Sequence, residues 1–97
     1  MRFQKLRYNK PMSQAYIVIF QSSNHKDALV AKIKSFNGYA KLTEGSWIIT
    51  SPQEAVEIRD ELYKTAPGAK VIVIRSSAVA AWANVPQKTG AWLKKHL

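Results

Sequence analysis

The chain has no cysteine and only 6 acidic residues among its 97, and these two shortages limit what it can be. Without cysteine it has neither a disulfide framework nor a thiolate nucleophile, which excludes the usual scaffold of small secreted domains and cysteine-dependent catalysis. It also lacks an apolar run near the roughly 20 residues that a membrane-spanning helix needs. The sequence therefore predicts a cytoplasmic protein that does not enter a membrane.

Basic residues greatly outnumber acidic ones. The 15 Lys and Arg against 6 Asp and Glu give a net charge of +9 and a pI near 10.1. A surplus of this size favours phosphate-bearing or otherwise acidic partners. Four of these cations lie in the first eleven residues, which contain no acid. We expect residues 1–12 to form a disordered basic extension and residues 13–97 to form one domain.

The hydrophobic pattern follows the order strand, helix, strand, strand, helix, strand. Apolar runs at 15–20 and 71–74 predict the first and last strands, and the stretches 39–42 and 46–50 predict a hairpin around Gly45. Two strand-helix-strand units in one short chain predict an α+β, ferredoxin-like βαββαβ sandwich with an antiparallel sheet. A short C-terminal helix after Pro86 completes the predicted fold.

Capping residues predict where the two internal helices begin and end. Asn24 is the expected N-cap of the first helix, and Gly38 is expected to end it in a left-handed conformation. Ser51 is the expected N-cap of the second helix, with Pro52 at the first helical position and Glu54 completing a capping box.

The first and last strands are apolar on both faces, whereas the two helices of such a fold cover only one face of the sheet. We expect the second face to be covered by the C-terminal segment with Trp82, Trp92 and Leu93, by a second copy of the chain, or by both. A homodimer is the preferred interpretation. Changing Ile17 or Ile72 to Lys is then predicted to dissociate or unfold the protein.

Four segments resemble a known family: AYIV at 15–18, GSWII at 45–49, AVEIRDEL at 55–62 and AWLKKHL at 91–97. Over about residues 14–97 the chain resembles small bacterial and phage proteins labelled SinR-like. That group is similar to the ferredoxin-like subunit of the CRISPR spacer-integration complex and, more distantly, to VapD-type toxins. The resemblance implies a ferredoxin-like fold and a dimer.

One position departs from the pattern of the CRISPR-associated relatives. Their first strand typically ends in an Asp that approaches a divalent metal at the dimer axis, whereas here Phe20 is followed by Gln21. A neutral amide coordinates Mg²⁺ much more weakly than a carboxylate does. No other acidic pair is clearly placed for metal binding or acid-base work. We therefore expect a protein that is not an enzyme and has no metal or cofactor.

Ser22, Ser23 and His25 form a candidate phosphate site at the start of the first helix, where free N–H groups and the helix dipole favour an anion. An exposed turn without a ligand is the favoured alternative. The three tryptophans are Trp47, Trp82 and Trp92. They could stack on bases, but such residues are more often core or interface anchors.

The preferred hypothesis is a non-enzymatic dimeric module that binds nucleic acid or a nucleic-acid-processing complex, in phage or mobile-element defence. Binding is expected to be weak and salt-dependent. The expected nucleic-acid contacts are Arg2, Lys5, Arg7, Lys10, Arg75, Lys94 and Lys95. One alternative is a metal-dependent nuclease resembling the toxin RNases. The other is a protein-interaction module with an acidic partner.

Overall fold

The computed structural model describes residues 13–76 and 81–96. Its elements, in chain order, are β1 (Gln14–Gln21), α1 (Lys26–Ile33), β2 (Gly38–Thr43), β3 (Ser46–Ser51), α2 (Ala55–Thr65), β4 (Lys70–Ser76) and α3 (Gln87–His96). The strands form one antiparallel sheet in the order β2-β3-β1-β4. The predicted α+β class, the antiparallel sheet and the C-terminal helix are confirmed. The predicted basic extension, residues 1–12, lies outside the described residues.

Helices α1 and α2 pack on one face of the sheet. Tyr16, Val18 and Phe20 of β1 are buried on this face, because alternate residues of a strand point to the same side. The helix residues that are fully buried against them are Leu29, Ile33, Ile58 and Leu62. Of the helices within the described ranges, none is both long and apolar enough to cross a membrane.

Helix α1 begins later and ends earlier than predicted. Its N-cap is His25 rather than Asn24, and the His25 N–H donates to Ser22 Oγ at 3.0 Å. The serine therefore organises the turn that enters the helix. At the other end the Ser35 N–H donates to a carbonyl only three residues back, which tightens the last turn. Gly38 does not end the helix, because it is the first residue of β2.

The predicted cap of α2 is also wrong. Ser51 stays in β3, where it is buried and pairs with Gln14 of β1. The N-cap is Glu54, and the capping box runs between Glu54 and Glu57, whose side chain accepts the Glu54 N–H at 2.8 Å. The Ser51 hydroxyl instead accepts the Gln53 N–H at 3.1 Å.

Two glycines allow the hairpin between β2 and β3. Gly45 has a φ of +79° in the turn, and a Cβ there would lie 2.8 Å from the Phe20 carbonyl oxygen. A Cβ on Gly38 would lie 2.6 Å from Oγ1 of Thr50, its cross-strand partner. The hairpin predicted around Gly45 is present.

Helix α3 packs on the opposite face of the sheet, over β2 and β3. Leu93 is 5% exposed and lies in a small cluster with Ile48, and the half-buried Trp92 packs against the same cluster. The Thr89 hydroxyl donates to the carbonyl of Lys41 in β2 at 3.3 Å. The C-terminal segment therefore covers the second face over these two strands.

Candidate nucleic-acid interface

The candidate phosphate residues line a cleft at one end of the sheet. The loop after β1 and the loop between α2 and β4 form its walls, and its volume is about 510 Å³. Ser22, Ser23 and His25 all border it, together with Gln21 and Lys70, which are direct cross-strand partners. Sequence reasoning missed Lys70 because the residue is distant along the chain. The pairing of the first and last strands is the signal that could have found it.

Gln21 ends β1 with its side chain exposed at this cleft. Across residues 13–76 and 81–96, no three His, Asp or Glu side chains come close enough together to hold a metal ion. The cleft offers amide and hydroxyl groups, the imidazole of His25 and one ammonium group. These groups suit an anion better than a divalent cation, which prefers several oxygen ligands including carboxylates.

Two carboxylates of the described residues, Glu44 and Glu61, are held in ion pairs with lysines. Glu44, in the hairpin turn, lies 2.8 Å from Lys26 Nζ and 2.7 Å from Lys41 Nζ. Hydrogen bonds from these two ammonium groups lower the pKa of Glu44 to about 2. Lys32 Nζ lies 2.7 Å from Glu61, and its hydrogen bond likewise lowers the pKa of that carboxyl. These carboxylates act as partners for local lysines.

The C-terminal part of the chain carries basic side chains and no acidic ones. Residues 62–97 contain no Asp or Glu. Their basic residues are Lys64, Lys70, Arg75, Lys88, Lys94 and Lys95. None of these takes part in the ion pairs found within the described part of the chain. Lys94 and Lys95 are exposed in the last turn of α3.

Arg75 lies on the other face of the sheet from α3. Its cross-strand partner is Tyr16, which is buried under the helices, so Arg75 projects on the helical face. Burial raises the pKa of Tyr16, and the positive charge of Arg75 opposes that rise. Within one chain the structure therefore brings Lys94 and Lys95 together but separates Arg75 from them. The N-terminal contacts Arg2, Lys5, Arg7 and Lys10 lie outside the described residues.

The half of the second face that α3 leaves open is apolar. Ile19 pairs with Ile72, and Ile17 pairs with Ile74, across β1 and β4. These four side chains form what we call the isoleucine patch. Ile19 is 40% exposed, Ile72 53% and Ile74 48%, whereas Ile17 is half-buried beside the α3 cluster. A contiguous exposed patch of this kind is typical of an interaction surface.

The three tryptophans have different environments. Trp47 is 6% exposed and belongs to the core under the helices. Trp92 packs on the second face and stacks on His96, with ring centroids 4.2 Å apart. Trp82 is 40% exposed in the loop before α3. Trp47 and Trp92 are therefore anchors, and Trp82 has a surface available for a ligand.

Comparisons with protein-family models, with curated proteins and with solved structures found no significant match to this chain. The resemblance to SinR-like proteins therefore stays a prediction from the sequence.

Proposed function

We propose that this chain is a non-enzymatic homodimeric module that binds nucleic acid through its phosphates. The distribution of charge is the observation that supports this function best. The carboxylates lie on α1, on α2 and its N-cap, and in the hairpin turn, whereas residues 81–96 carry Lys88, Lys94 and Lys95 and no acid. A surface with cations and no carboxylates attracts a polyanion without reading its bases.

We further propose that the domain is a ferredoxin-like βαββαβ sandwich of the SinR-like kind. The strand order β2-β3-β1-β4, the antiparallel pairing of each neighbour and the placement of α1 and α2 on one face support this assignment. The fold leaves the activity open, because one fold carries many functions.

The isoleucine patch supports the dimeric part of the proposal. It lies on two paired strands and consists of four uncharged side chains, of which only Ile17 packs against the cluster under α3. A second copy that stacks its own patch on this one covers both at once, as sheets do in sandwiches.

Two other functions make different predictions. A metal-dependent nuclease, such as a toxin-like RNase, needs oxygen ligands for its metal, and the cleft beside Gln21 is supplied mainly with neutral groups and Lys70. A protein-interaction module would use the same lysines to bind an acidic protein and would not bind nucleic acid with the salt dependence of phosphate contacts.

The proposal is tested by fluorescence anisotropy with a labelled DNA duplex, using two variants with the same charge change. Lys94→Gln removes a cation from α3, and Lys64→Gln removes an exposed cation from α2 on the opposite face. Lys94→Gln should weaken binding by the same factor for duplexes of unrelated sequence. It should also reduce the slope of log affinity against log salt by about 0.9. Lys64→Gln should change neither quantity.

Equal effects of the two variants, or no binding by the unmodified protein at low salt, would contradict the proposal. The same preparation should not cleave DNA or RNA above background in Mg²⁺ or Mn²⁺. Cleavage that co-purifies with the folded protein and is abolished by one point substitution would instead support the nuclease.

A further inference from the structure

A second cleft, of about 700 Å³, lies between α3 and the loop that precedes it. Trp82, which is 40% exposed, forms part of its wall, and Lys94 of α3 borders the same cleft. Val85 and Pro86 add apolar surface. None of the side chains around this Trp82 cleft within the described residues is acidic. The cleft therefore combines one large aromatic ring, an apolar wall, the amide side chains of Asn84 and Gln87, and one cation.

The Trp82 ring is held in place by the structure behind it. A Cβ on Gly90 would lie 3.2 Å from the indole Nε1 of Trp82, so the ring lies close against the backbone of α3. The Gly90 N–H donates to the Pro86 carbonyl at 3.0 Å, which joins the loop to the first turn of the helix. Asn84 turns the loop with a φ of +59°, a conformation that asparagine adopts more readily than most residues. A ring fixed in this way loses little freedom when a flat ligand stacks on it.

We propose that the Trp82 cleft binds single-stranded nucleic acid, with an unpaired base stacked on Trp82 and a neighbouring phosphate neutralised by Lys94. Every base has a π face, so such stacking tolerates any sequence. Lys88 and Lys95 lie exposed on the same helix and extend the positive surface along the strand. This inference rests on the proposed nucleic-acid function and specifies single strands as the preferred form, because a paired base cannot reach the ring.

The test compares a labelled oligothymidylate of about 15 nucleotides, a length near the upper site size of single-strand binding domains, with a labelled duplex. Trp82→Ala should weaken binding to the single strand by roughly 5- to 150-fold, the effect of losing one stacked base. It should leave duplex affinity unchanged, and Trp82→Phe should retain most of the single-strand affinity. Tyr63→Ala is the matched control, because Tyr63 is an aromatic residue 58% exposed on α2, and this variant should bind like the unmodified protein.

Tryptophan fluorescence gives a second measurement. The oligonucleotide should quench the emission of the unmodified protein, and Trp82→Phe should lose that quenching although Trp47 and Trp92 remain. If circular dichroism shows that Trp82→Ala does not fold, the quenching experiment and the Lys94→Gln variant test the inference instead. Lys94→Gln should reduce the slope of log affinity for the single strand against log salt by about 0.7.

Single-strand affinity that is equal in Trp82→Ala and the unmodified protein would overturn the inference while leaving duplex binding, and the proposed function, intact. Quenching that persists in Trp82→Phe would also overturn it. If Trp82→Ala changes the sedimentation of the protein but not its affinity for single strands, the cleft instead binds a second copy of the chain. No binding of either nucleic acid at low salt would contradict both the inference and the proposed function.

Discussion

Replacing Ile72 by lysine should dissociate the dimer without unfolding the subunit. Fully burying an isoleucine stabilises by about 1.5–3 kcal/mol. Ile72 is 53% exposed in the subunit, and a symmetric dimer buries the exposed part of Ile72 from each of its two copies. Removing the Ile72 side chain from both copies therefore weakens the free energy of dimerisation by roughly 2–3 kcal/mol, which is about a 30- to 150-fold loss of dimer affinity. An ammonium group facing an apolar surface weakens the contact further.

The same substitution should have little effect on the isolated subunit, because a half-exposed side chain contributes little to the core. Ile17→Lys should behave differently, since Ile17 is half-buried beside the α3 cluster and a charge there disturbs the packing of the helix. Val56→Lys is the matched control: Val56 is also 53% exposed but lies on α2, on the other side of the sheet.

Sedimentation velocity over a range of micromolar concentrations measures the assembly, and circular dichroism measures folding. The unmodified protein and Val56→Lys should sediment as dimers, and Ile72→Lys should sediment as a folded monomer. A folded monomer of the unmodified protein at every concentration would refute the reasoning. Dissociation by Val56→Lys as strong as that by Ile72→Lys would refute the assignment of the interface to the isoleucine patch.

Two further predictions concern the subunit. Gly38→Ala should lower the free energy of unfolding by about 1–3 kcal/mol in a urea titration, because the added methyl group would lie 2.6 Å from Thr50 Oγ1. Unchanged stability would show that the Thr50 side chain rotates away without cost. The Glu44 carboxyl should titrate by NMR with a pKa of about 2. Because this pKa is below the ordinary value of a glutamate, the ion pairs of Glu44 stabilise the fold at neutral pH, and that stabilisation is lost as pH falls toward 2. Glu44→Gln should remove this part of the acid sensitivity. A Glu44 titration midpoint at the ordinary value would contradict the prediction.

The order of strands and helices was predictable because each element carries its own hydrophobic period. The first and last strands are short continuous apolar runs bounded by polar or turn residues, and the buried residues of α2 recur at helical spacing. The start of α2 was not predictable from local residues. Ser51 is a good capping residue, but its pairing with Gln14 keeps it in β3, so the next capping box along the chain begins the helix.

The candidate sites were predictable only where their residues are neighbours in sequence. Ser22, Ser23 and His25 meet at one cleft because a single turn holds them. Lys70 joins them through strand pairing, which no local pattern reveals. The separation of Arg75 from the α3 lysines depends on which alternate residues of β4 face the helices, and that choice is set by the packing of the whole sheet.

The salt dependence of duplex binding tests the central claim most directly. Each neutralised phosphate contributes about −0.9 to the slope of log affinity against log salt, so four to six contacts predict a slope of roughly −3.6 to −5.4. Affinity should fall steeply between low and physiological salt, should be similar for unrelated sequences, and should show a flatter slope when residues 1–11 are removed. Absence of binding at low salt, or an affinity that ignores salt but depends strongly on sequence, would contradict the account and favour the protein-interaction module.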